Sequence, residues 1–231
     1  MVAGYNFVLD RDELNQMLGG GFPKGSLIMI DGPSGSGKSA LCQRFAYGLL
    51  DNKNTVTYIS TQLTTKNFIR QMKSLEYPIG IRLLKGELLY IPVFPLLKES
   101  KPRIDFLQRL MGAEGLYEKN IIIIDTLSAL IRYGTDATKS LQLISFFKKI
   151  TGLQKTIIIT MDSSEMPVNV VSEFKDAAEI LITLKMRPMG TEILRTMVIN
   201  KYSRPEIQVG AMIGFKVEAR SGVMINISGV S

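Results

Sequence analysis

The chain has 231 residues, 45% hydrophobic and 21% charged, a balance that excludes a disordered chain, a collagen and a coiled coil. Its length sets an expectation of one large domain or two small ones. A domain of that size buries roughly 70% of its unfolded surface and needs no disulfide or metal to hold a core. Lys+Arg number 28 against 21 Asp+Glu, a net charge of +7, which suits phosphate-bearing partners. The cations are dispersed in small groups, such as Lys98, Lys101 and Arg103, or Lys148 and Lys149.

Histidine is absent, which removes His-based triads, His-ligated zinc and His general bases. The one cysteine, Cys42, allows no internal disulfide and fits a reducing cytoplasm. Met1 to Arg11 lack a basic region followed by an apolar stretch, so no signal peptide is read. The longest aliphatic run is Ile121-Ile122-Ile123-Ile124. A membrane span needs about 20 apolar residues, so none is expected.

In chain order, Asp10 and Glu13 have capping-box spacing before Leu14, Met17 and Leu18, which predicts a short helix from Asp10. Gly19-Gly20-Gly21 and the Phe22-Pro23-Lys24-Gly25 turn end it. Ser26 to Ile30 reads as a strand, followed by a glycine-rich turn and a helix from Lys38 to Leu50. Thr55 to Ile59 is rich in β-branched residues and predicts a second strand. Phe68, Ile69, Met72 and Leu75 share one helical face. Pro78, Pro92, Pro95 and Pro102 interrupt the next stretch, with a strand at Leu88 to Val93. Ile104 to Met111 reads as helix and Asn120 to Asp125 as a buried strand. Leu141, Ile144, Phe147 and Ile150 predict an amphipathic helix. Strands follow at Thr156 to Thr160 and Ala178 to Leu184. Ile193 to Asn200, Ile213 to Val217 and Val223 to Ile227 then read as antiparallel hairpins at a sheet edge.

Strands alternating with helices predict an α/β fold with a mostly parallel sheet and right-handed crossovers. Ligands of such sheets bind beyond the carboxyl ends of the strands. The chemistry is therefore expected just after Ile30, Ile59, Ile124 and Ile159.

The turn after the first strand reads Gly32-Pro33-Ser34-Gly35-Ser36-Gly37-Lys38-Ser39, the P-loop pattern Gly-x4-Gly-Lys-Ser. Its backbone must curl around a phosphate with N–H groups inward, and Cβ atoms would obstruct that path. The following helix aims its positive end at the same anion, so Gly32 to Ala40 are the candidate phosphate-binding residues. Lys38 places an ammonium on the outer phosphates, and Ser39 offers a hydroxyl to Mg²⁺. Asp125 ends an apolar run typical of a strand buried on both faces. There it can hold a Mg²⁺-bound water, as the Walker B acid does. No acid follows Asp125, since the next residue is Thr126. At the end of the second strand stands Gln62, which takes no proton but can orient a water; a plain polar strand-end residue is the alternative.

These residues resemble the RecA superfamily and, within it, the KaiC-like ATPases. The shared features are Leu14 to Gly21, Pro23-x-Gly25-Ser26, the P-loop, the Ile-rich strand ending in Asp125, and the C-terminal hairpins. The chain is most similar to the FlaH family of archaeal flagellar (archaellum) accessory ATP-binding proteins. That likeness is carried by Gly19-Gly20-Gly21-Phe22-Pro23-x-Gly25-Ser26-Leu27-Ile28 and Tyr58-x-Ser60-Thr61-Gln62-Leu63-Thr64-Thr65. Phe68-Ile69-x-Gln71-Met72-x-Ser74-Leu75, Leu88-Leu89-Tyr90-Ile91-Pro92-Val93 and Phe146-Phe147-Lys148 support it. The resemblance covers nearly the whole chain.

It implies a RecA-like fold in one domain, 1–231, and binding of Mg-ATP with poor hydrolysis. It further implies a homo-oligomeric ring and partnership with the archaellum motor ATPase and membrane-associated motor components. The place would be cytoplasmic, at the inner face of the membrane. Two departures bear on this. RecA-type enzymes carry a catalytic glutamate where this chain has Gln62. KaiC-like ATPases present Lys-x-Arg from a neighbouring subunit, and this chain has Lys201-Tyr202-Ser203-Arg204. Lys201 and Arg204 are thus candidates for acting in trans, with a solvent-facing hairpin end as the alternative. A DNA-handling RecA paralogue and another KaiC-like ATPase are the other readings. Against DNA, Asp162 to Asn169 holds Asp162 and Glu165 and no basic residue, which opposes phosphate contact.

Overall fold

The structure, a computed structural model, describes residues 4–93, 106–132, 137–189 and 192–226. Short strands β1 (Gly4–Tyr5) and β2 (Phe22–Pro23) pair antiparallel. Between them lies a one-turn helix, α1 (Leu14–Met17). It starts four residues later than the capping-box spacing predicts. Glu13 is the N-cap residue and its side chain makes no cap hydrogen bond; Asp12 Oδ1, one residue earlier, accepts the Leu14 N–H at 3.1 Å. Arg44 anchors the same carboxylate at 2.7 Å, so the turn is set by a contact 32 residues away.

Six strands run parallel: β3 (Leu27–Asp31), β4 (Val56–Ser60), β5 (Leu88–Pro92), β6 (Ile121–Asp125), β7 (Thr156–Met161) and β8 (Ile180–Met189). Then β9 (Glu192–Tyr202), β10 (Met212–Glu218) and β11 (Gly222–Asn226) extend the sheet antiparallel. The order is β11-β10-β9-β8-β3-β7-β6-β4-β5. β3, β4, β6 and β7 are buried at every position, as parallel strands covered on both faces must be. The edge strand β5 alternates instead and ends in Pro92, which has no N–H to donate to a ladder.

Alternate residues of each strand serve two cores. Ile121 and Ile123 meet Leu41 and Phe45 of α2 (Lys38–Asp51), joined by Phe68 of α3 (Thr65–Ser74) and Leu83 of α4 (Gly80–Leu84). Ile122 and Ile124 meet the opposite layer. That layer comprises α5 (Phe106–Gly112), α6 (Leu127–Ile131), α7 (Ala137–Gly152) and α8 (Val168–Ala177).

The expected α/β sheet with C-terminal hairpins is present, and β8 and β9 run longer than expected. Leu141 is 54% exposed while Leu143 and Phe147 are fully buried. The i, i+4 pair Leu143–Phe147 points α7 at the sheet and turns Leu141 outward. Ile69 is likewise mostly outside the α3 stripe, at 38% exposure. Helices α4, α6 and α8 were not anticipated. α8 buries Val170, Val171 and Phe174 directly after the Asp162 loop. Pro95, Lys98, Lys101, Pro102, Arg103, Ile104 and Ile227 lie outside the described residues.

Candidate functional site

β3 delivers the chain into the Gly32–Gly37 turn, and α2 begins at Lys38. Gly37 is its N-cap residue, at φ +99°, a conformation that disfavours any side chain. A Cβ there would also stand 3.0 Å from the Phe215 ring. At Gly32 a Cβ would meet Leu184 Cβ at 2.9 Å, so the turn rests directly on β8. The N–H groups of Gly35, Gly37, Lys38, Ser39 and Ala40 make no hydrogen bond to any described residue. Unpaired donors on one curved backbone, at the positive end of a 14-residue helix, form an anion cradle.

Lys38 folds back over this cradle, its Nζ donating to Gly32 O at 2.5 Å and Pro33 O at 2.9 Å. Burial pushes its pKa below the usual 10.5, against the carboxylates of Asp162, Asp125, Asp31 and Glu165. Ser39 Oγ donates to Asp125 Oδ1 at 3.0 Å. Asp125 is 2% exposed, and Tyr58 OH and Thr160 Oγ1 also donate to its carboxylate, at 3.0 and 3.2 Å. Burial raises the Asp125 pKa; the hydroxyls of Ser39, Tyr58 and Thr160 and the Lys38 charge oppose the rise. Behind it, Thr126 takes a left-handed φ of +69° and its N–H donates to Thr160 Oγ1 at 2.6 Å. The carboxylate is thereby pinned from α2, β4 and β7.

The Ser39–Asp125 pair has the donor set a Mg²⁺ ion accepts. The described residues hold no group of three or more His, Cys, Asp or Glu that could bind a metal. Two protein oxygens suffice for Mg²⁺ only when waters and ligand phosphates complete the octahedron, and the unpaired N–H cradle beside them is where phosphates would lie. The residues therefore fit a Mg-nucleotide and not a free-standing metal site.

Above the cradle opens a cleft of about 310 Å³, at the lower end of small-molecule sites. Lys38 and Ser39 form its floor, Gln62 enters after β4, Thr126 after β6, and Asp162 and Glu165 after β7. All four expected strand ends contribute. Gln62 is exposed at the wall, and its N–H donates to Ser60 Oγ at 3.4 Å.

The family model described as ATPase: KaiC matches residues 12–228. The archaeal flagellar ATP-binding protein FlaH of Methanocaldococcus jannaschii is 43% identical over 223 residues, 96% of each chain. The chain belongs to the KaiC ATPase family, among its archaeal FlaH members. FlaH of Methanococcus voltae is 38% identical over 223 residues, spanning 96% of this chain and 97% of its own. The crystal structure of the Methanocaldococcus jannaschii flagellar accessory protein FlaH superposes with a TM-score of 0.93 at 42% identity. That match covers 98% of this chain and 100% of the other. A KaiC-like protein of Pyrococcus horikoshii matches with a TM-score of 0.74 at 15% identity, covering 98% and 99%, and shares the fold.

In this FlaH-family chain Lys201 and Arg204 do not line the cleft. β9 runs against β8 and pairs Lys201 with Leu181, at the far end of the sheet from the cradle. There the Lys201 ammonium donates to Asp176 O at 3.1 Å. The opposite end of the same strand brings Arg195 into the cleft, a residue that no motif singles out. Asp162 was legible in principle. It directly follows the buried strand β7, at the same sheet edge at which Asp125 ends β6.

Proposed function

We propose that this chain is an ATP-binding regulatory subunit of the archaeal flagellar motor, one domain that holds Mg-ATP at Gly32–Ala40 and turns it over slowly. The observation that carries the reading is the Ser39–Asp125 pair at 3.0 Å beside the unpaired cradle N–H groups. Relatives named archaeal flagellar ATP-binding protein support both the nucleotide and the setting. In this reading the cradle and Lys38 bind the phosphates, and Ser39 and Asp125 orient the metal. Mg²⁺, when bound, neutralises charge on the outer phosphates. Asp162 and Glu165 at the cleft disfavour a nucleic-acid backbone there. Identifying the nucleotide released on denaturation, with calorimetry of Mg-ATP, tests the reading; no binding at millimolar nucleotide would refute it.

Ser39→Ala is expected to weaken nucleotide binding roughly tenfold with Mg²⁺ present and little in its absence. Equal loss in both conditions would contradict the metal role. The pH dependence follows from Asp125. Its carboxyl titrates above the ordinary 3.8 and must be charged to hold the metal. The Mg²⁺-dependent share of affinity is thus full above that raised pKa and lost as pH falls through it. The loss should begin at higher pH than an ordinary carboxylate would give. Asp125→Asn should remove both the Mg²⁺ effect and its pH dependence.

Turnover is expected below roughly 1 s⁻¹, where typical enzymes begin. Gln62 orients but takes no proton, and general-base catalysis contributes about 10²–10⁴-fold. Gln62→Glu should raise the rate if this side chain faces the terminal phosphate; an unchanged rate would remove Gln62 from the chemistry.

The assembly is a ring driven by nucleotide, with Lys201 and Arg204 offered to the neighbouring subunit's cleft. Light scattering should show a larger mass with Mg-ATP than without. An unchanged mass across micromolar protein, or an Arg204→Glu variant that still assembles, would count against this arrangement and that residue respectively. The described residues contain no helix long and apolar enough to cross a membrane, so the proposed place at its inner, cytoplasmic face rests on the motor ATPase and its membrane components. Co-purification with that ATPase from membranes should succeed with wild type, and its absence would oppose the motor assignment.

A further inference from the structure

The geometry points to Arg195 as a nucleotide-binding arginine supplied in cis, gripping the part of the ligand that ADP and ATP share. This rests on the nucleotide reading of the cleft. Arg195 lies on β9 opposite Met186 of β8 and Phe215 of β10. Directly paired residues share a sheet face, and Phe215 packs in the core layer that contains Leu41 and Phe45 of α2. Arg195 therefore rises on the α2 side, over the turn. Its Nε donates to Gly35 O at 3.3 Å, and a Cβ on Gly37 would stand 3.5 Å from its Cδ. The side chain is held against the cradle by Nε alone. Its two terminal nitrogens make no hydrogen bond to any described residue. A half-buried guanidinium with its fork unspent, in a cleft lined with phosphate-binding backbone, is suited to a phosphate oxygen pair.

The sheet order says which phosphate. Asp125 ends β6 and Asp162 follows β7, and both strands lie on one side of β3. β9 lies on the other side of β3, beyond β8. The metal pair and the acids mark the end where a terminal phosphate would sit. Arg195 approaches from the opposite end, next to the apolar Val217 of β10 in the same cleft. It therefore meets the inner phosphate and the nucleoside side.

Calorimetry with ADP and with ATP, each with Mg²⁺ and with chelator, tests this on the wild-type chain, Arg195→Ala and Arg195→Lys. Arg195→Ala should lose affinity roughly ten- to a hundredfold, by the same factor for ADP and ATP and with or without Mg²⁺. Arg195→Lys should recover part of it through charge alone. Wild-type affinity in Arg195→Ala, or a loss confined to ATP, overturns the assignment while leaving the cleft a nucleotide site. A wild-type chain that binds neither nucleotide overturns the functional reading and this inference together.

Discussion

Asp12→Ala is expected to destabilise the fold by about 3–5 kcal/mol, the largest effect of any single truncation considered. Arg44 Nε and Nη2 each donate to the Asp12 carboxylate at 2.7 Å, a bidentate pair. The side chains are 0% and 2% exposed. Arg44 Nη1 also donates to Phe7 O at 3.0 Å, tying the N-terminal segment to α2. Removing Asp12 leaves the guanidinium buried with one backbone partner, Phe7 O. An unpaired buried charge costs far more than its pairing gained. For a chain of this length the midpoint should fall by roughly 6–20 °C, read by thermal unfolding. Asp12→Leu combined with Arg44→Met should recover most of the loss, because neither charge is then buried. A drop below about 1 kcal/mol for Asp12→Ala would show that water reaches the guanidinium.

Lys38→Ala is expected to lower Mg-ATP affinity roughly ten- to a hundredfold. Its ammonium rests on two turn carbonyls, so it is already at the cradle before a ligand arrives. Its loss acts twice. The phosphates lose a charged donor, and Asp162, Asp125, Asp31 and Glu165, which now surround the cation, are left to repel the anion. Nucleotide-driven self-association should fall in the same proportion. Calorimetry on the folded variant decides, and undiminished affinity would remove Lys38 from the phosphates.

Much of the site was legible because its signals are local. Gly-x4-Gly-Lys-Ser is contiguous, and the turn needs those residues for its own backbone path. The Ile121–Ile124 run announced a doubly covered strand, and its last residue had to emerge near the ligand edge. It emerges buried, behind Ser39, because α2 packs over the strand end. Helical stripes were less faithful. Leu141 and Ile69 fit the spacing yet face outward, because spacing defines a face but not which neighbour claims it.

Local sequence signals suffice for the parallel sheet, for the glycine-rich turn and for placing Ser39 and Asp125 at one sheet edge, where they meet at 3.0 Å. Each follows from residues within one strand-turn-helix unit or from the rule that strand ends share an edge. Tertiary structure alone decided which cations attend the cleft. The register of β9 on β8 sends Lys201 to the far end of the sheet and brings Arg195 to Gly35 across 160 residues of chain. The Asp12–Arg44 clamp is equally non-local. No periodicity records such pairings, because they depend on which strand lies beside which. That order is set by how the whole chain buries its two cores.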